Sequence, residues 1–367
     1  MVLKFYPSKD ATIYERYPSK NTGLDASLEI VKQKTGTILS SSLYNSRALL
    51  DFNYTTISAS IVDMGLDPNL FDWRLCLYAS EVSEIPADFN LYCYPISQSW
   101  TMGIGKYANS PSTTEGVSWN YRTGLTDTGS AWLTQSFEVN TTGSYTTNPG
   151  GGTWYTSSAA SHSFTYTTTD FNFNLNDIIH EVQSGSIPFA GVIIKKGDED
   201  EASSMTFSSL KFFSKDTSTV FLPTLEARYD DSSFTGSLQS VDPSSLFNVV
   251  PTNLQSTYSE LATPIIRFAA RPRYPARSFA TSSVYLDRFI VSGSQYAIQS
   301  AQSDDMIVDF SPYTKVSEDS NGNYIKLHMA SFQPERFYKI LLRVPNSGSY
   351  GHQVFDYNWV FKVLRAT

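Results

Sequence analysis

Residues 354–363 read VFDYNWVFKV, with Phe355, Tyr357, Trp359, Phe361 and Val363 at every second position, opposite Asp356, Asn358 and Lys362. Side chains alternate across a strand but repeat every 3.6 residues on a helix, so this spacing predicts a half-buried β-strand. RFYKILLRV (336–344) repeats the pattern: Tyr338, Ile340, Leu342 and Val344 share one face, and Lys339 and Arg343 the other. Between polar neighbours and NYIKLHM, Asn321-Gly322 is a two-residue hairpin signal that asks for positive φ at both positions.

The same period runs through the N-terminal part. Ala48, Leu50 and Phe52 alternate with Arg47, Leu49 and Asp51, and Trp73, Leu75 and Leu77 with Arg74, Cys76 and Tyr78. Here even the minority face is largely apolar, as in strands enclosed by a sandwich. A single helix is expected, in NLNDIIHEVQSG (174–185), where Leu175, Ile178, Ile179 and Val182 fall at i, i+3, i+4 and i+7. Asn174 or Asn176 would cap it and Gly185 would end it. Residues 143–163, with three glycines at 150–152, read as a long flexible loop.

Charge divides the chain of 367 residues. From Asp231 onward there are 12 Lys+Arg and 11 Asp+Glu, which leaves 15 and 24 of the totals of 27 and 35 for residues 1–230. Between the two parts, residues 231–263 are rich in Ser, Pro, Asp and Asn without regular alternation, and read as an extended linker. The expectation is an all-β protein: a sandwich over 1–230, the linker over 231–263, and a smaller, immunoglobulin-like β-sandwich over 264–367. With 14% aromatic and only 17% charged residues, helical bundles and disorder are disfavoured.

The net charge of −8 offers no general attraction to phosphate or anionic lipid. The basic exception is IRFAARPRYPARSF (266–279), with Arg267, Arg271, Arg273 and Arg277 at one parity. Its prolines interrupt a regular strand, and Tyr274 is the only ring for base stacking. Guanidinium forks pair with carboxylates, and prolines lower the entropy cost of holding an arm extended, so an inter-subunit contact is preferred to a nucleic-acid grip. Acidic side chains of a neighbouring copy would be its counterpart.

Exposed planar rings would bind sugars, and Trp132, Trp154 and Tyr155 stand in Gly/Ser/Thr-rich surroundings that suit the alternative of a glycan-binding surface. The acidic run Asp198–Glu201 follows a strand end, but it lacks the glycine and alternating spacing of a calcium loop and reads as solvated. His162, His180, His328 and His352 have no metal-ligand spacing, and no nucleophile, zinc-protease, phosphate-loop or dinucleotide motif occurs. The expectation is therefore no enzyme, cofactor or metal. Cys76 and Cys93 lie in strand-like contexts as buried free thiols, with a disulfide geometrically open if their strands pair. MVLKFYPSKD has no apolar run, so synthesis in a cytoplasm without membrane insertion is expected.

Over the first two thirds the chain resembles the DNRLRE-type sandwich domains, which look like carbohydrate-binding-module jelly rolls. The resemblance runs through 10–30, SRALLDF (46–52), LCLYA (75–79), YPISQSW (94–100), EGVSW (115–119), DIIHEV (177–182), GVIIKK (191–196) and 207–229. It departs at the close, where the family's Ser-Arg-Glu stretch is replaced by FFSKD. It implies that the first sandwich is jelly-roll-like. RPRYPARSF (271–279), TSSVYL (281–286), 294–329 and FQPERFYKILLRV (332–344) together resemble the C-terminal module of virion structural proteins from tailed phages, marine ones especially. That resemblance implies a particle component in neck, connector, head or tail. It would be made in the host cytoplasm, carried in repeated copies, and bound to other virion proteins, without nucleic acid or membrane and with a host-surface glycan as a further partner.

Overall fold

A computed structural model describes residues 1–366 other than 38–39, 84–88, 125–129, 134–136, 140–142, 148–149, 165–169, 204–207, 237–239, 243–245, 275–288 and 347–350. The chain is all-β and divides into two compact units. The first is Phe5–Ala227; the second is Met1–Lys4 together with Arg228–Thr367. The N-terminal residues are tied into the second unit by hydrogen bonds from Tyr229 N to Met1 O (2.9 Å) and from Lys4 N to Ser331 Oγ (3.1 Å).

Chain order to residue 228 is β1 (Val2–Phe5), β2 (Lys9–Tyr14), β3 (Ser27–Thr37), β4 (Ser40–Asp51), α1 (Tyr54–Asp63), β5 (Asp72–Leu77), β6 (Ala79–Ser83), β7 (Phe89–Pro95), β8 (Phe137–Val139), β9 (Gly143–Thr147), β10 (Thr153–Tyr155), β11 (Ala160–Phe164), β12 (Phe171–Asn174), α2 (Asn176–Gln183), β13 (Val192–Lys196), α3 (Asp198–Ala202), β14 (Ser208–Phe213) and β15 (Thr224–Arg228). The large sheet runs β11-β7-β13-β4-β3-β14-β6, with β2 also paired to β4. One face packs on the sheet that holds β15, β5 and β12, where the Phe171 and Phe212 rings meet edge-on at 5.3 Å. The other face carries Ala11, Ile13, Leu49 and Ile193, which are covered by Trp100, Trp119, Trp132 and Trp154. Both parities of 46–50 are consequently buried.

The expected helix forms as α2, with Leu175, Ile178 and Ile179 buried. Asn176 does not cap it but pins it to β5, accepting from Trp73 N (2.6 Å) and donating to Asp72 Oδ1 (3.0 Å). Two further helices escaped the sequence reading. In α1, Thr, Ser and Ile are weak helix formers, yet Tyr54, Ile57 and Ile61 bury one face. The loop expected at 143–163 instead holds β9, β10 and the start of β11. Gly151 adopts φ +85°, and a Cβ there would lie 2.5 Å from Arg47 Nη1, so the glycines answer a close approach.

The second unit continues with β16 (Phe247–Pro251), β17 (Thr257–Ser259), β18 (Ile265–Pro272), β19 (Gln295–Ser300), β20 (Met306–Val308), β21 (Ser317–Asp319), β22 (Gly322–Lys326), β23 (Phe337–Pro345) and β24 (His352–Leu364). Sheets β16-β18-β22-β21 and β17-β24-β23-β19-β20 enclose one core, where Phe247 meets Phe355 (5.1 Å) and Phe268 meets Trp359 (5.6 Å). Residues 231–263, expected as a linker, belong to this sandwich. They supply β16 and β17, and Ser233 O accepts from Glu318 N at 2.7 Å. Backbone pairing of this kind leaves little trace in composition. The β21–β22 turn is Ser320-Asn321, with Gly322 opposite Asp319 and alone of the expected pair at positive φ (+119°).

β24 follows its alternation except at one point. Ile340 pairs with Trp359 and Leu342 with Phe355, so three residues of β24 stand against Leu341 alone. Asn358 takes φ +59°, and Tyr357 is expelled to 52% exposure instead of joining the core. Phe361→Ala should cost about 3–5 kcal/mol, whereas Tyr357→Ala should cost less than about 1 kcal/mol. Urea unfolding of the two variants checks this, and equal losses would refute the bulge.

Candidate functional site

On β18, Ile266, Phe268 and Ala270 point into the core, which turns Arg267, Ala269 and Arg271 outward. The shared parity of the arginines holds this far. Arg267 is held within the unit: its guanidinium makes two 2.9 Å bonds to the Asp319 carboxylate and lies 5.5 Å from the Tyr324 ring. That pairing draws the Asp319 carboxyl below its ordinary range. Arg267 is thereby occupied and does not serve as a free contact residue. Arg271 and Arg273 are exposed, with Arg273 5.9 Å from the exposed Tyr274 ring. Arg277 lies outside the described residues.

Register builds a mixed surface around them. Across β16 and β18, Asn248 stands opposite Arg271 and Val250 opposite Ala269; across β18 and β22, Ile265 stands opposite Lys326. Val250 is 48% exposed and Ile265 44%. These apolar side chains were not singled out from sequence, since strand parity alone does not tell which face is solvated.

Trp132, Trp154 and Tyr155 are buried, whereas sugar stacking needs an open ring face. Trp132 donates from Nε1 to Ser118 O at 3.0 Å and belongs to the layer over the large sheet. Beneath Trp154 lies a buried charge cluster. Arg47 makes a fork to Glu201 (Nε–Oε1 3.0 Å, Nη2–Oε2 2.6 Å), and Lys195 Nζ approaches Glu201 Oε2 at 3.2 Å. Arg47 and Lys195 lie 5.1 and 5.2 Å from the Trp154 ring, and Arg47 lies 4.9 Å from that of Trp119. Glu201 comes from the acidic run, which is thus only partly solvated: Asp198 and Glu199 are exposed and Glu201 is enclosed. Two lysines ending the strand VIIKK, one glycine before DEDE, are the sequence signal for this cluster.

Cys76 and Cys93 are buried free thiols, and burial raises the Cys93 thiol well above its usual range. Among the described residues no group of three or more His, Cys, Asp or Glu side chains could hold a metal. His162 Nδ1 lies 3.2 Å from Asn172 O. His328 is buried, and its Nε2 has no hydrogen-bond partner among the described residues. Burial, aided by Lys326, lowers it to about 4. Conversely, burial beside Asp216 raises Asp10 to about 7, although Asp10 Oδ2 accepts from Lys215 N at 2.7 Å.

Glu201→Leu leaves Arg47 and Lys195 as adjacent buried cations and should destabilise the first unit by about 3–5 kcal/mol. Asp198→Ala, at an exposed partner, should cost less than about 1 kcal/mol by the same urea titration. Similar losses would show the cluster to be incidental.

Two opposite pH dependences follow. The folded value of His328 lies below its ordinary 6.5, so its contribution is whole above 6.5 and is lost as pH falls through about 4. The folded value of Asp10 lies above its ordinary 3.8, so its contribution is present below 3.8 and is lost as pH rises through about 7. On acidification the urea midpoint should drop less in His328→Leu than in the wild type, and Asp10→Asn should be more stable than the wild type above pH 7 but not near pH 4. Unchanged profiles would contradict these environments. No protein-family model matches the chain, and no curated protein matches it.

Proposed function

We propose that the chain is a structural component of a tailed-phage virion, in the neck, connector region, head surface or tail, acting through contacts with other virion proteins and with copies of itself. The resemblance of residues 271–344 to virion modules supports this reading. The observation that carries it is the outer face of β18, where Arg271 and Arg273 stand exposed beside solvated apolar side chains. Such a mixture suits a protein interface, in which apolar area supplies affinity and guanidinium forks supply register. The alternative, a glycan- or receptor-binding module using Trp132, Trp154 and Tyr155, would need rings that are open, and these are buried.

Mass spectrometry of salt-washed particles from a host that carries the gene should recover the chain in fixed ratio to the major head protein, and gold-labelled antibody should mark one place on the particle. Recovery only in the particle-free fraction would overturn the proposal.

A further inference from the structure

We propose that the outer face of β16, β18 and β22 docks onto the α1 surface of a second copy of this chain. The two surfaces are complementary in charge and alike in apolar content. On the first, Arg271, Arg273 and Lys326 are exposed and have no carboxylate within ion-pair distance among the described residues, and Asp319 is already taken by Arg267. Val250 and Ile265 stand solvated on the same face. On the second, α1 and the short turn Pro68–Leu70 that follows it expose Val62 (57%) and Leu70 (61%) beside Asp63 and Asp67. Residues 54–73 contain no lysine or arginine, and neither aspartate has a cation partner among the described residues.

The internal chemistry accounts for this pairing. In the first unit several basic side chains are already committed: Arg47 and Lys195 to the enclosed Glu201, and Lys211 to the exposed Glu81 at 2.8 Å. Asp63 and Asp67 have no such partner among the described residues. In the second unit Lys339 and Lys362 are matched by Asp356 and Glu335, while Arg271 and Arg273, at and just beyond the end of β18, have no ion pair among the described residues. Each copy therefore presents a basic face and an acidic surface without internal ion pairs among the described residues, each flanked by apolar side chains whose removal from water favours contact. An acidic partner of different sequence would satisfy the arginines alone, whereas a second copy offers a counterpart to either surface. The inference does not rest on the virion reading, because either could hold without the other.

Sedimentation of the full chain over a range of concentrations tests it. The wild type should self-associate, and its dissociation constant should rise roughly tenfold or more between about 0.05 and about 0.5 M salt. R271E/R273E and D63K/D67K should each weaken association at least about tenfold, with unchanged circular dichroism and urea midpoints. An equimolar mixture of the two should form complexes again, because each variant keeps the surface the other has lost and the two altered surfaces are themselves complementary. Chains that stay monomeric at all concentrations, variants that associate as the wild type does, or a mixture that fails to complement would each overturn the proposal. So would a monomer whose β18 face instead binds a short oligonucleotide, with that binding lost in R271E/R273E.

Discussion

A sheet covered on both faces has no solvated side on which to place a charge. The β2, β4 and β13 part of the large sheet is such a region, with aromatic rings of β12 against one face of the sheet and a layer of four tryptophans on the other. Arg47 and Lys195 nevertheless project into the tryptophan layer, and a buried cation without a partner costs several kcal/mol. Glu201 resolves this, and the demand propagates outward. α3 must form to deliver the carboxylate, Gly151 must approach closely enough for its carbonyl to accept from Arg47 Nη1, and Trp119 and Trp154 must lie with their rings near the cations. Residues 150–155, within a stretch that reads as a flexible loop, are held in place because they complete this arrangement.

The legible parts of the sequence were those in which one local period decided the outcome. β4, β5, β23, β24 and α2 appear where alternation or 3.6-residue spacing places them, whereas β18 runs on to Pro272 in a stretch that reads as a proline-broken arm. The misreadings share a physical cause, which is that a distant part of the chain supplied the deciding contact. Trp132 and Trp154 sit among Gly, Ser and Thr and look solvated, yet they are lids on a sheet built from residues far away in sequence. Residues 231–263 look like a linker because their pairing is through backbone groups to β18, β24 and Glu318, which side-chain composition does not record. Tyr357 has core parity but lies in a bulge, and only the count of residues on β23 reveals the insertion. The contact face was half legible: the shared parity of Arg267 and Arg271 was visible, while the Asp319 that satisfies Arg267 was not.

That division clarifies what the arginines do. Arg267 serves the sandwich by tying β18 to the β21–β22 turn, whereas Arg271 and Arg273 have no such duty among the described residues. Net charge alone would have ranked the whole stretch as one device. Pairing within the fold separates a structural arginine from two that are available to a partner, and the same accounting separates Glu201 from Asp63 and Asp67 among the acids.

The two surpluses have opposite sign and reside in different units, so a contact between copies joins unlike surfaces. Made once between two copies, such a contact is heterologous: it leaves each pair with one basic face and one acidic surface unused, where further copies would add. A two-fold dimer, in which one patch meets itself, would instead bring like charges together and is disfavoured by their repulsion. Assembly through these surfaces would therefore stop when two copies make the contact reciprocally, when the rotation from copy to copy closes a ring, or when a different protein occupies the terminal surface.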